Sequence, residues 1–557
     1  MSGYFHGIKG SEVETSLLSP VQIDGGLVVA FGTAPIHLAK NPAKANTPIL
    51  CYQLREYVEQ FGYTGDFDKY TLDEVAQTQF VLYKMAPVVF VNVFDPNKHF
   101  QEFEKNISGI SESTVNLGEN VVLDSVKVTS SGKETVTLTG DVDYTAEYDS
   151  DSLVTTIDIC IGAKLPADSI TISYDVDSDT LTTTANINDL PVELPAGAKN
   201  ISVTAEKEIT NTLDADIDYM VSFNDNSEAI FAILDSSKVF DDTVKISYHT
   251  ADPSLVTEDD IIGGIDLLTD EAKGLEVIEE VYPKTGLVPG TIIAPKFSQS
   301  PTVAAIMKAK STNINEVFRA IAIADIPTDE VLSYTTASEY KNTKNLVDTS
   351  LVVCYPKVAL EDKQYFLSTQ MAALMNKVDS ENDDMPFHSP SNNNLQCDKS
   401  VLADGTEKYL SLAQASYLNG QGIVTALNCS GGWKCWGNRT SIYPSSADVK
   451  DNFIPIRRMF NWINNSLILM FWSKIDDPLN KRLIESVIDS ANIWFNGLTN
   501  RGAILGGRVE LLATDNTVTE LADGIIRFHC FYTPPSPARE IEFIQEYDPN
   551  YIADLLA

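Results

Sequence analysis

The sequence feature that most constrains the fold is an internal repeat inside residues 111–250. TLTGDVDYTAEYDSDSLVTTI matches NTLDADIDYMVSFNDNSEAIFAI with Asp143 and Asp218 at equivalent positions, which gives a period of about 75 residues. The region is rich in Thr, Val, Ser and Asp and contains no tryptophan and no arginine, a texture typical of short strands. Because a unit of this size can bury its own core, the repeat predicts a tandem pair of small all-β sandwich domains, at 111–180 and 181–252.

The residues on both sides of this region have a different, α/β texture. Before it, apolar strand-like runs such as LVVAFGTAPI and APVVFVNVF alternate with helical stretches such as YQLREYVEQFG. After residue 253, the runs RAIAIADIP and LVVCYP again alternate with helical stretches. This alternation predicts a largely parallel sheet covered by helices.

The last part of the chain, from about residue 441, contains one well-marked amphipathic helix. Asp477 can cap it, Pro478 suits its first turn, and an apolar stripe from Leu483 to Phe495 ends before Gly497. We expect this stripe to be buried within its own domain, as in most amphipathic helices of globular proteins. The strands that follow the helix make this an α+β region.

The charge of the chain limits its partners. It carries 78 acidic and 40 basic side chains, a formal net charge of -38, and residues 111–250 supply half of the excess. Such a chain repels nucleic acid and anionic lipid, so we predict neither as a partner. No apolar run approaches the roughly 18 residues that span a bilayer, and the opening residues lack the apolar core of a signal peptide. We therefore expect synthesis in the cytoplasm and no insertion into a membrane.

Motifs that would indicate catalysis are missing from the sequence. The chain has six histidines, with no His-Glu-x-x-His pair and no Gly-x-Ser-x-Gly elbow. A hydrolase would need a nucleophile and a base within reach of each other, and no motif supplies them. The sequence thus predicts no enzyme activity and no cofactor.

Metal binding has two weak candidates, both outweighed by simpler interpretations. Cys429 and Cys435 flank a glycine-rich turn, but no second pair of ligands lies at finger-like spacing, so packed, reduced thiols are favoured. An odd total of seven cysteines fits the same interpretation. Several aspartates could bind calcium but lack the glycine and distal glutamate of a calcium loop, so solvated turn carboxylates are favoured for Asp149, Asp151, Asp175, Asp177 and Asp179.

The stretch GIIRFHCFYTPPSPAREIEFIQEYD near the end of the chain reads as two strands with a stiff joint. In the second, Ile541 and Phe543 alternate with glutamates, as a half-buried strand requires. The joint contains three prolines, Pro534, Pro535 and Pro537, which favour an extended segment over a tight hairpin turn. We therefore expect the last strand to pair somewhere other than with the strand before it.

Several phrases, in the same order, resemble the contractile tail sheath proteins of bacteriophages and phage-tail-like particles. They are VVAFGTAPIHLA, YVEQFG, KTGLVPGTIIAPKFSQSPTV, YLNGQGIVTAL, GGWKCWGNRTS, FIPIRRMFNWINNSL, NGLTNRGAILGG and PPSPAREIEFIQEYD. The resemblance covers most of residues 15–110 and 253–548. The acidic repeat departs from the common pattern and looks like an insertion into the sheath core.

The resemblance implies a multidomain α/β sheath core whose parts follow one another along the chain in a defined order. The expected parts are an N-terminal arm (1–30), an N-terminal α/β part of the core (31–110), the two inserted β domains, a subtilisin-like α/β domain (253–440) and a C-terminal α+β domain with a terminal strand-donating arm (441–557). The word subtilisin-like describes the fold and implies no protease activity, since no matching motif is present.

The resemblance also implies a function and partners. Copies of the chain are expected to stack as hexameric rings around a tail tube protein, between a baseplate and a tail terminator, and to contract so that the tube is driven through a target envelope. The expected location is a virion or phage-tail-like particle assembled in the cytoplasm of the host bacterium. A filament of this kind needs contacts between subunits that do not close on themselves.

Two groups of residues are candidates for the contacts that the resemblance implies. Apolar residues at both ends of the chain are candidates for strand exchange between subunits: Val21, Ile23, Val28, Val29, Ile526, Phe528, Cys530, Tyr532, Ile541, Phe543 and Ile544. Basic pairs are candidates for tube contact (Lys481, Arg482) and subunit contact (Arg457, Arg458), although either pair could equally form ordinary surface ion pairs. Gly25 and Gly26 are expected to be flexible points where an N-terminal strand lies ahead of the folded domain.

A different class of function is an adhesin or carbohydrate-binding protein made in the cytoplasm. The repeated β domains and their aspartates motivate it, and the missing signal peptide weighs against it.

Overall fold

The computed structural model describes residues 25–108, 243–429 and 431–548, together with the strands between residues 109 and 242. Its largest element is an eight-stranded sheet with the strand order β2-β3-β1-β19-β20-β21-β25-β26. The inner strands are parallel, whereas β2 and β26 at the two edges are antiparallel to their neighbours. The strands are β1 (Val28–Gly32), β2 (Pro48–Cys51), β3 (Val88–Asn92), β19 (Thr291–Ile293), β20 (Ile321–Asp325), β21 (Leu351–Cys354), β25 (Ile423–Asn428) and β26 (Trp433–Trp436).

Continuous apolar runs explain why the inner strands form a parallel sheet. β1, β3 and β20 are buried at every position, the pattern of strands that helices cover on both faces. The sheet joins β1, β2 and β3, which precede the acidic region, with β19, β20, β21, β25 and β26, which follow it. The segments that the sequence predicts as 31–110 and 253–440 therefore share one sheet and one core.

Twelve helices cover this sheet and build the C-terminal region of the described chain. They are α1 (Leu54–Phe61), α2 (Thr71–Ala76), α3 (Glu258–Ile262), α4 (Ile278–Thr285), α5 (Pro301–Thr312), α6 (Tyr334–Thr343), α7 (Leu367–Ser380), α8 (Leu412–Gly420), α9 (Val449–Asn452), α10 (Ile454–Phe471), α11 (Lys481–Asn500) and α12 (Val518–Ala522). Within the described residues, no helix is long and apolar enough to cross a membrane.

Small sheets complete the parts outside the acidic region. A three-stranded sheet has the order β23-β22-β24, and two hairpins pair β17 with β18 and β27 with β28. Their bounds are β17 (Gly264–Ile265), β18 (Ala272–Lys273), β22 (Lys357–Leu360), β23 (Lys363–Tyr365), β24 (Lys399–Val401), β27 (Gly507–Glu510) and β28 (His529–Tyr532).

One antiparallel pair of strands connects the acidic region to the sheet core. β4 (Phe100–Ser108) runs beside β16 (Thr243–Ala251) from Phe100 opposite Ala251 to Ser108 opposite Thr243. At the base of this pair, Asp252 donates its amide proton to the carbonyl of His99 at 2.9 Å. The two connections to the sheet core are thus bonded to each other.

The strands between β4 and β16 belong to two further sheets. One has seven strands in the order β12-β9-β10-β4-β16-β6-β13, and the other has six in the order β11-β5-β15-β14-β7-β8. The remaining bounds are β5 (Thr114–Glu119), β6 (Lys127–Ser131), β7 (Thr145–Asp149), β8 (Val154–Asp158), β9 (Ser169–Val176), β10 (Asp179–Asn186), β11 (Pro191–Pro195), β12 (Ala198–Thr204), β13 (Thr210–Thr212), β14 (Tyr219–Phe223) and β15 (Glu228–Ile233).

The two halves of the repeat share these sheets, whereas the sequence predicts a separate sandwich for each half. β11 of the second half pairs with β5 of the first, and β14 pairs with β7. A repeat period indicates that two segments have similar strands, but it does not determine whether each strand pairs within its own copy or with the other copy. A domain boundary near residue 180 stays a prediction.

The C-terminal region has its own core between α10, α11 and the β27–β28 hairpin. Trp462 of α10 lies 5.6 Å from Trp494 of α11, measured between ring centroids. The predicted apolar stripe of α11 is indeed the buried face of this helix. The predicted start is wrong: Asn480 caps the helix, accepting a hydrogen bond from the amide of Leu483 at 3.0 Å, and the helix continues past Gly497.

Candidate subunit-contact site

The C-terminal segment after β28 forms neither helix nor strand from Thr533 to Asp548, and we call these residues the C-terminal arm. Its first residue is fixed to the hairpin region, because Thr533 donates to the carbonyl of Gly506 at 3.1 Å and accepts from the amide of Leu505 at 2.8 Å. Pro534 is buried, and every residue from Ala538 to Asp548 is exposed. The arm therefore has an anchored root and an exposed outer part.

The outer part of the arm exposes large apolar side chains. Ile541 is 72% exposed, Phe543 84% and Ile544 88%. Burying such a side chain stabilises a protein by about 1.5–3 kcal/mol, so three of them within four residues are a strong site for association. The predicted contact residues Ile541, Phe543 and Ile544 thus lie where another molecule can reach them.

The β27–β28 hairpin beside the arm root has one occupied and one open edge. Asn492 of α11 covers the outer edge of β27, since its side chain accepts from the amide of Val509 at 2.8 Å and donates to its carbonyl at 3.2 Å. Val509 lies opposite Cys530, so in an antiparallel pair the backbone groups of Cys530 point to the outer edge of β28. No strand in the described part of the chain lies on that edge.

No family model matches this chain. The tail sheath protein of Burkholderia phage BcepMu is 29% identical over 327 residues, covering 56% of this chain and 66% of the relative, just under two thirds of its length. A prophage major tail sheath protein of Pseudomonas aeruginosa is 26% identical over 309 residues, covering 53% of this chain and 74% of the relative. The helical sheath of the anti-feeding prophage in its contracted state matches 98% of this chain and 100% of that chain, with a TM-score of 0.50 at 11% identity, which is a likeness of fold.

The chain is thus similar in sequence to contractile tail sheath proteins. Its mixed α/β content over several domains agrees with the fold of the sheath structures. The relatives belong to phage tails and phage-tail-like particles, and they do not favour the adhesin interpretation.

The strand predicted before the prolines is part of the chain's own β27–β28 hairpin. Cys530 and Tyr532 lie in β28, Ile526 and Phe528 precede it, and Phe528, Cys530 and Tyr532 are half-buried against the C-terminal core. Burial raises the pKa of the Cys530 thiol, so this thiol is protonated at neutral pH. These residues form a surface that can receive a strand, and only the residues of the arm are free to be donated.

At the N-terminal end, two of the predicted exchange residues are placed wrongly. Val28 and Val29 are fully buried in β1, which pairs with β3 on one side and with β19 on the other. A strand bonded on both edges has none left for a neighbouring subunit, and the apolar pattern alone does not distinguish a central strand from a donated one. Val21 and Ile23 lie outside the described residues.

The expected flexibility of Gly25 and Gly26 is also wrong. A Cβ atom on Gly25 would lie 2.9 Å from Cδ of Pro386, and one on Gly26 would lie 2.5 Å from Oδ1 of Asn376. These positions require glycine because neighbouring atoms approach the backbone closely.

Arg457 and Arg458 are held inside the subunit, which corrects their assignment as subunit contacts. Arg458 is 3% exposed and forms a two-pronged ion pair with Asp379, with Nη1 to Oδ1 at 3.0 Å. Arg457 donates from Nη1 to Oδ1 of Asp451 at 3.2 Å and lies over the ring of Phe460. Burial lowers the pKa of Arg457, and Asp451 partly opposes that shift. Both side chains were predicted from charge alone, which does not reveal the buried face of a helix.

Lys481 and Arg482 are exposed at the start of α11, and Lys481 pairs with Glu485 at 3.4 Å. Their position allows contact with another molecule. A partly exposed pair of this kind contributes about 0–1 kcal/mol, so it leaves the lysine available for a stronger partner.

A cleft that the sequence does not predict lies between the C-terminal arm and the body. It has a volume of about 890 Å³ and lies between residues 535–540 on one side and Phe387, Leu412, Trp436 and Arg439 on the other. The three prolines could have indicated it, since a stiff segment can span a cleft without filling it.

The metal candidates do not assemble into a site in the described residues, where no group of three or more potential ligands occurs. Cys435 is buried, with its Sγ 3.4 Å from Sδ of Met371. The side chains of Asp149, Asp151, Asp175, Asp177 and Asp179 lie outside the described residues.

Proposed function

We propose that this chain is the structural subunit of a contractile sheath that polymerises as stacked hexameric rings around a tail tube. The sheath contracts and drives the tube through a target cell envelope, and the subunit itself is not an enzyme. The observation that carries the proposal is the exposed apolar arm, with Phe543 84% exposed, next to a hairpin with an open edge. The similarity to a phage tail sheath protein supports a place in a virion or phage-tail-like particle, and we infer that assembly occurs in the bacterial cytoplasm.

Strand donation by the C-terminal arm is the link between subunits in this proposal. Residues 540–545 add to the open edge of β28 in an adjacent copy, which covers both the backbone groups and the apolar side chains. At about 1 kcal/mol net for each backbone hydrogen bond, one such contact is worth only several kcal/mol. A filament repeats it along its whole length, so the links hold together while subunits reorient.

The N-terminal segment supplies a second link. Residues before Gly25, with Val21 and Ile23, pair with the sheet of another subunit, as the resemblance to sheath proteins suggests. Removing residues 1–22 should leave melting of the free subunit nearly unchanged and prevent polymerisation. Polymerisation at the wild-type level by the truncated chain would exclude this link.

The remaining partners follow from the same role. Lys481 and Arg482 face the tail tube protein, and the ends of the sheath meet the baseplate and the tail terminator. The sheet core has the subtilisin-like arrangement, and β4 to β16 form an inserted all-β part that projects outward. A strongly acidic insertion would pack poorly between neighbouring subunits, since like charges repel.

Cross-linking between isotopically distinct subunits tests strand donation directly. A photo-reactive phenylalanine analogue replaces Phe543 in chains grown in 15N medium, and these are assembled with unlabelled chains. Mass spectrometry should find residue 543 of a labelled chain joined to residues 528–532 of an unlabelled one. Cross-links confined to single chains, or to surfaces far from β28, would contradict the proposal. The same analogue at Glu542, on the other face of the strand, is the matched control.

A further inference from the structure

The backbone at Gly25, where the described chain begins, is held by a buried ion pair. Arg458 of α10 donates from Nη2 to the carbonyl of Gly25 at 3.2 Å, and the same guanidinium binds the carboxylate of Asp379 at the end of α7. The amide of Gly25 donates to the carbonyl of Asp384 at 3.3 Å. Both polar groups of Gly25 are therefore bonded to the body.

The ion pair is shielded from water, which makes it a stiff connection. Arg458 is 3% exposed and Asp379 is 1% exposed. A planar guanidinium has fixed donor directions, so two prongs on Asp379 determine where the second N–H of Nη2 points. That donor reaches Gly25.

Close packing around the two glycines adds to this connection. Gly25 lies against Pro386 and Trp462, and Gly26 lies against Asn376 of α7. One residue later, the carbonyl of Leu27 accepts from the amides of Gly290 and Thr291 at 2.9 and 3.0 Å. The chain thus passes from a clamped root into the central strand β1 with no free residue between them.

The segment beside Gly25 also faces the C-terminal arm across the cleft. Pro386 packs on Gly25, and the next two residues, Phe387 and His388, line the cleft whose other wall is residues 535–540. Gly25 and the C-terminal arm therefore both lie near one short segment, residues 384–388.

We propose that Arg458 is a positioning residue for the N-terminal arm: with Asp379 it clamps Gly25, so that the arm leaves each subunit in one direction, beside the C-terminal arm. This inference rests on the proposed function, in which residues before Gly25 link subunits. A force on the arm then acts on α7 and α10 through the clamp and does not pull β1 out of the sheet. Flexible glycines at this point would let neighbouring subunits drift.

Substitution of the pair tests the clamp in the free subunit. Arg458→Met alone leaves a buried carboxylate without its partner and should lower the melting temperature strongly. Combining Arg458→Met with Asp379→Leu removes both charges and should recover much of the melting, because apolar residues of similar volume often replace buried pairs at little cost. In the double variant, amides in residues 25–28 should exchange with deuterium about ten- to a hundredfold faster, the factor expected for losing a hydrogen bond to a charged group.

Two further variants keep the test decisive. Arg458→Lys retains the charge beside Asp379 but lacks the planar fork, so it should fold and still exchange faster at residues 25–28. Arg457→Met, at the neighbouring position of α10, does not touch Gly25 and should leave that exchange unchanged. Wild-type exchange in both Arg458→Lys and the double variant would overturn the clamp.

Assembly of the same variants separates this inference from the proposed function. Variants that melt normally but exchange fast at residues 25–28 should form fewer and less regular filaments than wild type. Normal filaments from such variants would overturn the positioning role while leaving the sheath function intact. If the wild-type chain itself forms no filaments, the sheath function fails, and exchange in the free subunit still decides whether Gly25 is clamped.

Discussion

Thr533 donates its backbone amide to the carbonyl of Gly506 at 3.1 Å, and this bond marks the point where the C-terminal arm leaves the folded body. Residues before it belong to a hairpin that packs on the C-terminal core. Residues from Ala538 onward are exposed as far as Asp548. Folding of the subunit and donation of the arm can therefore be separated by mutation.

Deleting residues 538–557 should yield a soluble, folded subunit that no longer assembles. The deletion removes exposed residues of the described arm and leaves the Thr533 anchor in place, so the melting temperature should stay near that of wild type. Size-exclusion chromatography with thermal melting measures both effects. A melted or aggregated product would mean that the arm belongs to its own subunit's core.

Changing Phe543 to Asp should block assembly in the same way without truncation. The substitution places a charge where the apolar face of a donated strand is buried, at a cost of several kcal/mol for each contact. In the free subunit Phe543 is 84% exposed, so stability there should hardly change. Glu542→Asp, which keeps the charge on the opposite face, serves as the control. Equal sheath yield from Phe543→Asp and Glu542→Asp would count against strand donation.

The sequence predicted the elements of the core well because long apolar runs have few alternative folds. The continuous apolar runs indicate the strands β1, β3, β20 and β21, and the periodic apolar stripe indicates the helix α11. The apolar pattern of a strand does not show where that strand lies within a sheet. Val28 and Val29 have the same pattern in a central strand as in a donated one, so only the pairing with β19 reveals their place.

The sequence also does not show whether a charged residue is buried or exposed. Arg458 reads as a surface cation, since buried arginine is rare, and its partner Asp379 is 79 positions away. The cap of α11 is local, yet Asn480 and Asp477 are both good capping residues and the sequence does not rank them. The prolines limit the backbone whatever the tertiary context, so they predict that the last segment does not fold back on β28. The strand expected at Ile541 and Phe543 is not formed in the free subunit.

Replacing residues 109–242 with a short Gly/Ser linker should leave the sheet core folded and able to assemble. The ends of β4 and β16 lie side by side, with Ser108 opposite Thr243, so a short linker can close the gap. The core sheet gets all eight strands from outside this region. Loss of filaments by a soluble variant with normal melting would indicate that the insertion contacts neighbouring subunits.

The stability of the core should fall as the pH rises from about 5 to 8, partly through Glu74. Burial raises the pKa of the Glu74 carboxyl to about 8, while Lys357 and the amide of Phe366 oppose the shift. A folded-state pKa above the unfolded value, about 4.3, means that the native state binds the extra proton. The contribution of Glu74 to the free energy of unfolding is therefore complete below the unfolded pKa and is lost as the pH approaches 8.

Glu74→Gln should flatten this part of the profile, because glutamine has no proton to release and still accepts from Phe366. Thermal melting of both chains between pH 5 and 8 measures the slope. The exposed Glu59→Gln variant should keep the wild-type slope. A variant Glu74→Gln with the full wild-type slope would show that this carboxyl does not control it.

The most direct test of the sheath function is electron microscopy of the full-length chain produced alone in bacteria. The account predicts hollow cylinders of uniform width built from stacked rings, and their absence from a parallel preparation lacking residues 538–557. A monodisperse, well-folded monomer from the full-length chain over a wide concentration range, or cylinders that form equally well without the arm, would contradict it.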